Sequence, residues 1–302
     1  MTTIDQTAPV SAAAATPPRF QALRKFAREF ARTPTAMAGL AILIAITVLA
    51  LTAPLFIHAS DLNVVNAPGQ PIAPPSARFP LGTDYAGRSI VPLLIWGTRP
   101  SLAIGVISTA LTMVLGSAIG LLAGHYGGIT SRLLMALTDW FIALPTLPLA
   151  IGLAAVLGQG DASITIAIAV TSWPGTARLI RAQTLAVEAR PFIERAKALG
   201  ARDGQLMVRQ VLPNVAPFIL VSATLTVAGS ILSAATLQFL GLGNPTDVSW
   251  GSMINQAFFQ GAVSAGAWWY ILPPGIAILV VVLGFTLVGR AVENILNPRM
   301  AR

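Results

Sequence analysis

The sequence predicts an all-α, polytopic membrane protein with six transmembrane helices, and three observations carry that reading. Of 302 residues, 55% are hydrophobic and 10% charged, where soluble domains hold about 45–50% and about 25%. Six apolar segments, at 36–57, 102–123, 133–156, 164–180, 215–237 and 271–288, meet or approach the roughly 20 residues that cross a hydrocarbon core about 30 Å thick. The cations between them alternate, sixteen on one set of segments against three on the other, with seven of the sixteen in residues 178–213. The positive-inside rule then places both termini and the 178–213 segment in the cytoplasm. Adding or removing one span would scramble that parity.

Residues 1–35 are rich in Ala, Pro and Thr and then basic, through Arg19, Arg24, Lys25, Arg28 and Arg32. They read as a mostly disordered cytoplasmic lead. Segment 36–57 reads as a retained anchor, since a signal peptide would have shorter charged and apolar regions. Residues 58–101 form an outer loop, Pro-rich at 67–80. Within it, 90–96 is apolar but too short to span, and is expected to lie on the outer interface as a short helix. Residues 102–288 form a five-helix core with a cytoplasmic loop at 181–213 and an outer loop at 238–270, followed by a cytoplasmic tail at 289–302. Pro145 and Pro148 predict a kink in the third span. The fourth carries Trp173-Pro174-Gly175, and the sixth opens on Pro273-Pro274, a pair tolerated in a first helical turn. Neighbouring helices can satisfy the backbone groups such breakers free. Trp268, Trp269 and Tyr270 stand where an aromatic belt is expected.

The residues also exclude chemistry. Without cysteine there is no disulfide, thiolate nucleophile or zinc ribbon. The two histidines, His58 and His125, are too few for a histidine-based metal site. The only lysines, Lys25 and Lys197, lack P-loop context. The +8 net charge is explained by topology, so nucleic-acid binding is not needed. Asp139 is the one acidic residue inside a span, compatible with a proton relay or with bonding to a neighbouring helix. Because no second acid accompanies it in any span, packing is the favoured reading. Gly116, Gly120 and Gly124, at i+4 spacing, suit close helix approach. Ser222, Thr226, Ser230 and Ser233 form one hydroxyl stripe that either lines a translocation path or bonds between helices.

The 181–213 loop is the most informative segment. Pro191 suits a first helical position and Glu194 the anion-preferring first turn. Arg195 and Lys197 follow, and Gly200 is a natural left-handed terminator. Phe192, Ala196 and Leu199 fall at i, i+4 and i+7, giving one apolar stripe on a helix of under three turns. Asp203 can cap a second short helix ending before Pro213. So short a helix is marginal alone. Its stripe packs either on a docking partner or on the protein's own helix ends.

Glu194-Arg195-Ala196-Lys197-Ala198-Leu199-Gly200, followed by Val211-Leu212-Pro213, resembles the Glu-Ala-Ala loop of permease subunits in binding-protein-dependent ABC importers. Arg195 replaces the first Ala, and Gln210 stands where many members carry Ile. Leu81-Gly82-Thr83-Asp84 with Gly87-Arg88 and residues 97–102 is similar to the outer segment of the dipeptide/oligopeptide/nickel branch, C-type. Further resemblances to that branch are Tyr126-Gly127-Gly128 with Asp139 and Leu144-Pro145, residues 239–243 with Trp250-Gly251, and Asn297-Pro298-Arg299. Ser89 and Arg290 replace aspartates common in the branch.

The resemblance implies an ABC importer type I permease fold and a coupling helix that inserts into a cleft of a cytoplasmic ATPase. That assigns coupling to Phe192, Glu194, Arg195, Ala196, Lys197, Leu199, Gly200, Asp203 and Pro213. It makes Thr83, Asp84, Gly241, Gly243 and Asn244 candidates for binding-protein docking or an outer gate, and gives Asp139 a packing role. The implied partners are a homologous permease subunit forming a heterodimer, two ATPase subunits, an extracytoplasmic substrate-binding protein and membrane lipid. No cofactor is expected on this chain; ATP and Mg belong to the ATPases. The implied function is ATP-driven import of peptides or similar small solutes by alternating access, with no catalysis by this chain. An autonomous channel or secondary transporter would need an intramembrane carboxylate network or an inverted repeat. A membrane scaffold that recruits a soluble partner is a third reading.

Overall fold

Helices follow the apolar runs but overshoot several expected ends. The computed structural model describes residues 19–58, 60–65 and 67–296. Among them one isolated bridge joins Thr83 and Ser89, and the named elements are all helical. Helix α1 (Arg19–Arg32) occupies part of the lead expected to lack structure. Residues 1–18 of that lead, and the Asn297-Pro298-Arg299 motif, lie outside the described residues. Helix α2 (Pro34–Phe56) opens on a proline, whose missing N–H has no partner to lose in a first turn.

Helix α3 (Ile90–His125) is one continuous 36-residue helix. This corrects the expectation of a separate interfacial helix at 90–96. Ile90 and Leu93 are buried in an apolar cluster with Trp250, Met253 and Tyr270, so the segment is core rather than a surface-lying piece. Pro100 sits inside the helix without ending it.

The third span breaks rather than kinks. Helices α4 (Gly128–Ala143) and α5 (Thr146–Leu157) meet at 92°. Leu144, before Pro145, takes the extended conformation (φ −82°, ψ 134°) that the proline ring imposes on its predecessor. Pro148 falls in the first turn of α5, where it is harmless. Helix α6 (Asp161–Glu188) runs through Pro174, and the hydroxyls of buried Thr165, Thr171 and Thr184 bond carbonyls one turn back.

After α7 (Pro191–Ala198), α8 (Asp203–Leu206) passes through a π-helical turn (Met207–Val211) into α9 (Leu212–Phe239). The second short helix therefore does not stop before Pro213. The wide turn, closed by Leu212 N–H on Met207 O, delivers Pro213 into the first turn of α9, where it needs no donor. Helix α10 (Trp250–Phe259) begins in a Ser249/Ser252 capping box. Helix α11 (Trp268–Leu296) starts before Pro273-Pro274 and contains both. Of the expected belt aromatics Trp268 is exposed, whereas Tyr270 is fully buried.

Helix α3 is the central post, packing most extensively on α6 and then α9, while α11 holds α2 and α9. Helices α2 and α11 close on Gly39 and Gly284; a Cβ at Gly39 would stand 2.9 Å from the Gly284 carbonyl oxygen. Among the described residues four helices are long and apolar enough to cross a membrane, and the bent α4–α5 pair makes a fifth.

Candidate functional site

Two loops at opposite ends of α3 hold most of the expected functional residues. At the α7 end, the helix is seated by Ile193, fully buried among Leu121, Ile180, Val187, Leu206, Val211 and Val215. The predicted stripe divides: Ala196 packs against that cluster, while its two ends turn outward. Leu199 is 88% exposed, Phe192 is exposed and Ala196 is partly buried. Glu194, Arg195 and Lys197 are exposed on the same short helix, as are Asp203 and Pro213. Asp203 opens α8 but makes no side-chain capping bond.

Gly200 closes α7 at φ +81°. Its N–H bonds Lys197 O and the Ala201 N–H bonds Ala196 O, both at 3.0 Å, the Schellman pattern that favours glycine at this position. The loop thus presents an apolar knob with charged flanks, set on a short helix whose opposite side is anchored in the core.

Sequence reasoning missed a polar cluster behind this helix. His125 ends α3 and Glu188 ends α6, and His125 Nδ1 lies 2.5 Å from Glu188 Oε1. Lys197 Nζ donates to Glu188 Oε2 at 2.9 Å. The His125 and Glu188 side chains are largely buried, and that of Lys197 is half-exposed. Glu188 lies beyond the apolar 164–180 stretch. Burial there pushes its carboxyl up, but hydrogen bonds from Lys197 and His125 outweigh this and hold it below the ordinary glutamate range.

Along the helices, Gly116, Gly120 and Gly124 face α6. A Cβ on them would stand 2.8 Å from Trp173 O, 2.6 Å from Ala177 O and 2.6 Å from Thr184 Cβ respectively. Asp139 on α4 accepts a 2.6 Å bond from Arg178 on α6, with both side chains about half exposed. The hydroxyl stripe divides. Ser230 is buried and hydrogen-bonded to Thr109 of α3 at 3.0 Å, while Ser222, Thr226 and Ser233 are partly buried.

At the other end, Thr83 and Asp84, expected at a docking surface or an outer gate, both have fully buried side chains. The Thr83 hydroxyl donates to Gln70 O (2.6 Å) and accepts from Ala73 N–H (2.7 Å). One Asp84 oxygen accepts the backbone N–H groups of Ala86 and Arg88, and the other accepts Arg88 Nε–H and forms an ion pair with Arg88 Nη2 at 2.6 Å. With Arg88 donating on to Leu62 O at 3.0 Å, this network ties the loop to the chain itself. Gly241 ends α9 at φ +83°, and its carbonyl accepts from the Gln159 side chain. Gly243 is buried; Asn244 is partly buried and binds Asp247 and Thr246 within its own turn. Among the described residues no three His, Asp or Glu side chains converge to hold a metal.

A multi-pass helical membrane protein with a seated, outward-facing loop helix is the class these features define. Residues 116–302 match the family described as binding-protein-dependent transport system inner membrane component, and residues 22–75 match the N-terminal TM domain of oligopeptide transport permease C. The chain belongs to this permease family, the transport component of ABC importers rather than a catalytic subunit, and is a multi-pass inner-membrane protein. It is 36% identical over 279 residues to a glutathione transport system permease protein of Pectobacterium atrosepticum, covering 92% of this chain and 91% of that one. It is 34% identical over 280 residues to a dipeptide transport system permease protein of Alkalihalophilus pseudofirmus, covering 92% and 90%. The fold resembles that of an inward-facing methionine ABC transporter, with a TM-score of 0.55 at 21% identity over 67% of this chain and 96% of the other.

Proposed function

We propose that the chain crosses the membrane six times, with its termini and the α7 loop in the cytoplasm, and that it encloses one translocation path with a homologous permease subunit. The alternation of cations along the sequence supports the orientation. Helix α6 completes the six. At 28 residues it reaches about 42 Å, and its burial against α3, α5 and α9 relaxes the demand for an apolar surface. Two ATPase subunits carrying ATP and Mg dock on the α7 loops of the pair, and an extracytoplasmic binding protein delivers substrate at the other end. Peptides or similar small solutes are the substrate class, in keeping with the glutathione and dipeptide systems of the relatives.

The observation that carries this reading is the division of labour on α7, where Ile193 is fully buried and Leu199 is 88% exposed. A leucine left in water beside charged residues on a seated helix suits the cleft of a soluble partner. Closure of the ATPases then pushes a helix already fixed to the membrane bundle, and the bundle alternates between its two accesses. Reconstitution in proteoliposomes tests it. Uptake should require ATP, the ATPase subunits and the binding protein together, and uptake by this chain alone would overturn the reading. In Gly200→Trp, the left-handed backbone is strained and an indole crowds the knob. Transport should be lost while membrane insertion persists, and full transport by that variant would count against α7 as the coupling element.

A further inference from the structure

Helix α7 is held to the bundle by an apolar anchor, Ile193, and by the one ion pair it makes among the described residues, Lys197 to Glu188. The two anchors are four residues apart and so lie on one face. An apolar contact is non-directional and lets a short helix roll about it; a hydrogen-bonded charge four residues along fixes the rotation. Glu188 itself is the last residue of α6, at the negative end of that helix's dipole, where a carboxylate is poorly placed without cationic neighbours. His125, the last residue of α3, supplies one contact and Lys197 the other.

We infer that Glu188 is a positioning residue for energy transfer, yoking α7 to the ends of α3 and α6 so that a push on α7 displaces both membrane helices as one body. The inference rests on α7 being the ATPase contact proposed above. What makes the yoke effective is the packing beyond it. The close approaches at Gly116, Gly120 and Gly124 lock α3 to α6 along their length, and interfaces packed this tightly move as units rather than deform. Helix α3, 36 residues long, spans about 54 Å. Near its far end Leu94 O accepts from Trp250 Nε1–H of α10 at 3.0 Å. A displacement received at His125 is thereby delivered to the opposite mouth.

The chain has no native cysteine, so a spin-label pair at Ala198→Cys (α7) and Ile129→Cys (start of α4, four residues past the end of α3), both exposed sites, reads the link directly. The assembled complex with its ATPases is measured nucleotide-free and trapped with ATP and vanadate. The native link should keep the interlabel distance the same in both states. Glu188→Gln and Lys197→Gln should broaden the trapped distribution about twofold, as expected when a segment loses a directional tether. Lys197→Arg, which keeps the cation, should behave as the native chain. Because Lys197 is half-exposed, Lys197→Gln should unfold at the native temperature, so the effect cannot be laid to misfolding. Unchanged distributions in both glutamine variants, or a native distance that shifts on trapping, would overturn the yoke. ATPases that fail to assemble on the native chain would instead remove the coupling role of α7, and the yoke with it.

Discussion

The two motif-rich loops at opposite ends of α3 use their polar residues in opposite ways. In the 83–88 loop, Asp84 is fully buried, accepts two backbone N–H groups and Arg88 Nε–H, and is ion-paired with the same guanidinium. In the α7 loop, the Glu194 and Arg195 side chains are exposed and make no hydrogen bond or ion pair among the described residues, and Leu199 is left in solvent. A residue whose hydrogen-bonding capacity is spent inside its own chain has little to offer a partner. A motif residue with unspent capacity on a rigidly seated element is where a partner belongs. The contrast separates a loop that shapes the protein from one that meets something else.

Substitutions in the two loops and between the helices should therefore differ in what they damage. The largest loss of stability is expected of Asp84→Ala, which strands the buried Arg88 guanidinium and should cost about 3–5 kcal/mol; thermal unfolding in detergent measures it. A change under about 1 kcal/mol would mean that the pair is solvated, and that the outer loop can open to a partner after all. Next comes Gly120→Leu, which drives a side chain into Ala177 O and Ile180 and should cost about 1–3 kcal/mol by overpacking the α3–α6 interface. Ser230→Ala removes one buried hydroxyl contact and should cost about 0.5–1.5 kcal/mol. Its uptake should match the native chain in proteoliposomes, whereas a changed substrate preference would return Ser230 to the path wall. Smallest in stability is Leu199→Asp, within about 0.5 kcal/mol as for an exposed site. Yet this variant should lose co-purification with the ATPase subunits, the sharpest form of the contrast between the loops.

Much of this was readable along the chain because its causes are local. Pro191, Glu194 and Gly200 mark a short helix by their positions relative to its ends, and the helix forms at Pro191–Ala198 with Gly200 at φ +81°. The spacing of Gly116, Gly120 and Gly124 announced a close approach, though not that α6 would be the neighbour. The readings that changed turn on contacts set by the tertiary fold. Residues 90–96 looked too short to span, and the buried cluster with Trp250 and Tyr270 made them the first turns of α3. Thr83 and Asp84 read as candidates for docking or an outer gate, and only the fold of the loop showed that Gln70, Ala73 and Arg88 enclose them. His125 was weighed only as a metal ligand, because its partner lies 63 residues away.

By itself the sequence determined that the chain is helical, that it is built for a bilayer, and where its loop helix begins and ends. Hydrophobic run length, proline and glycine placement and charge at helix ends act over a few residues, so they can be read one segment at a time. Only the tertiary structure decided which side of each helix is spent on the chain itself. It turned Ile193 inward and Leu199 outward, closed Asp84 on Arg88, broke the third span by 92° and brought His125, Glu188 and Lys197 together. Burial and hydrogen-bond satisfaction depend on what stands opposite, and that is set by how the helices pack.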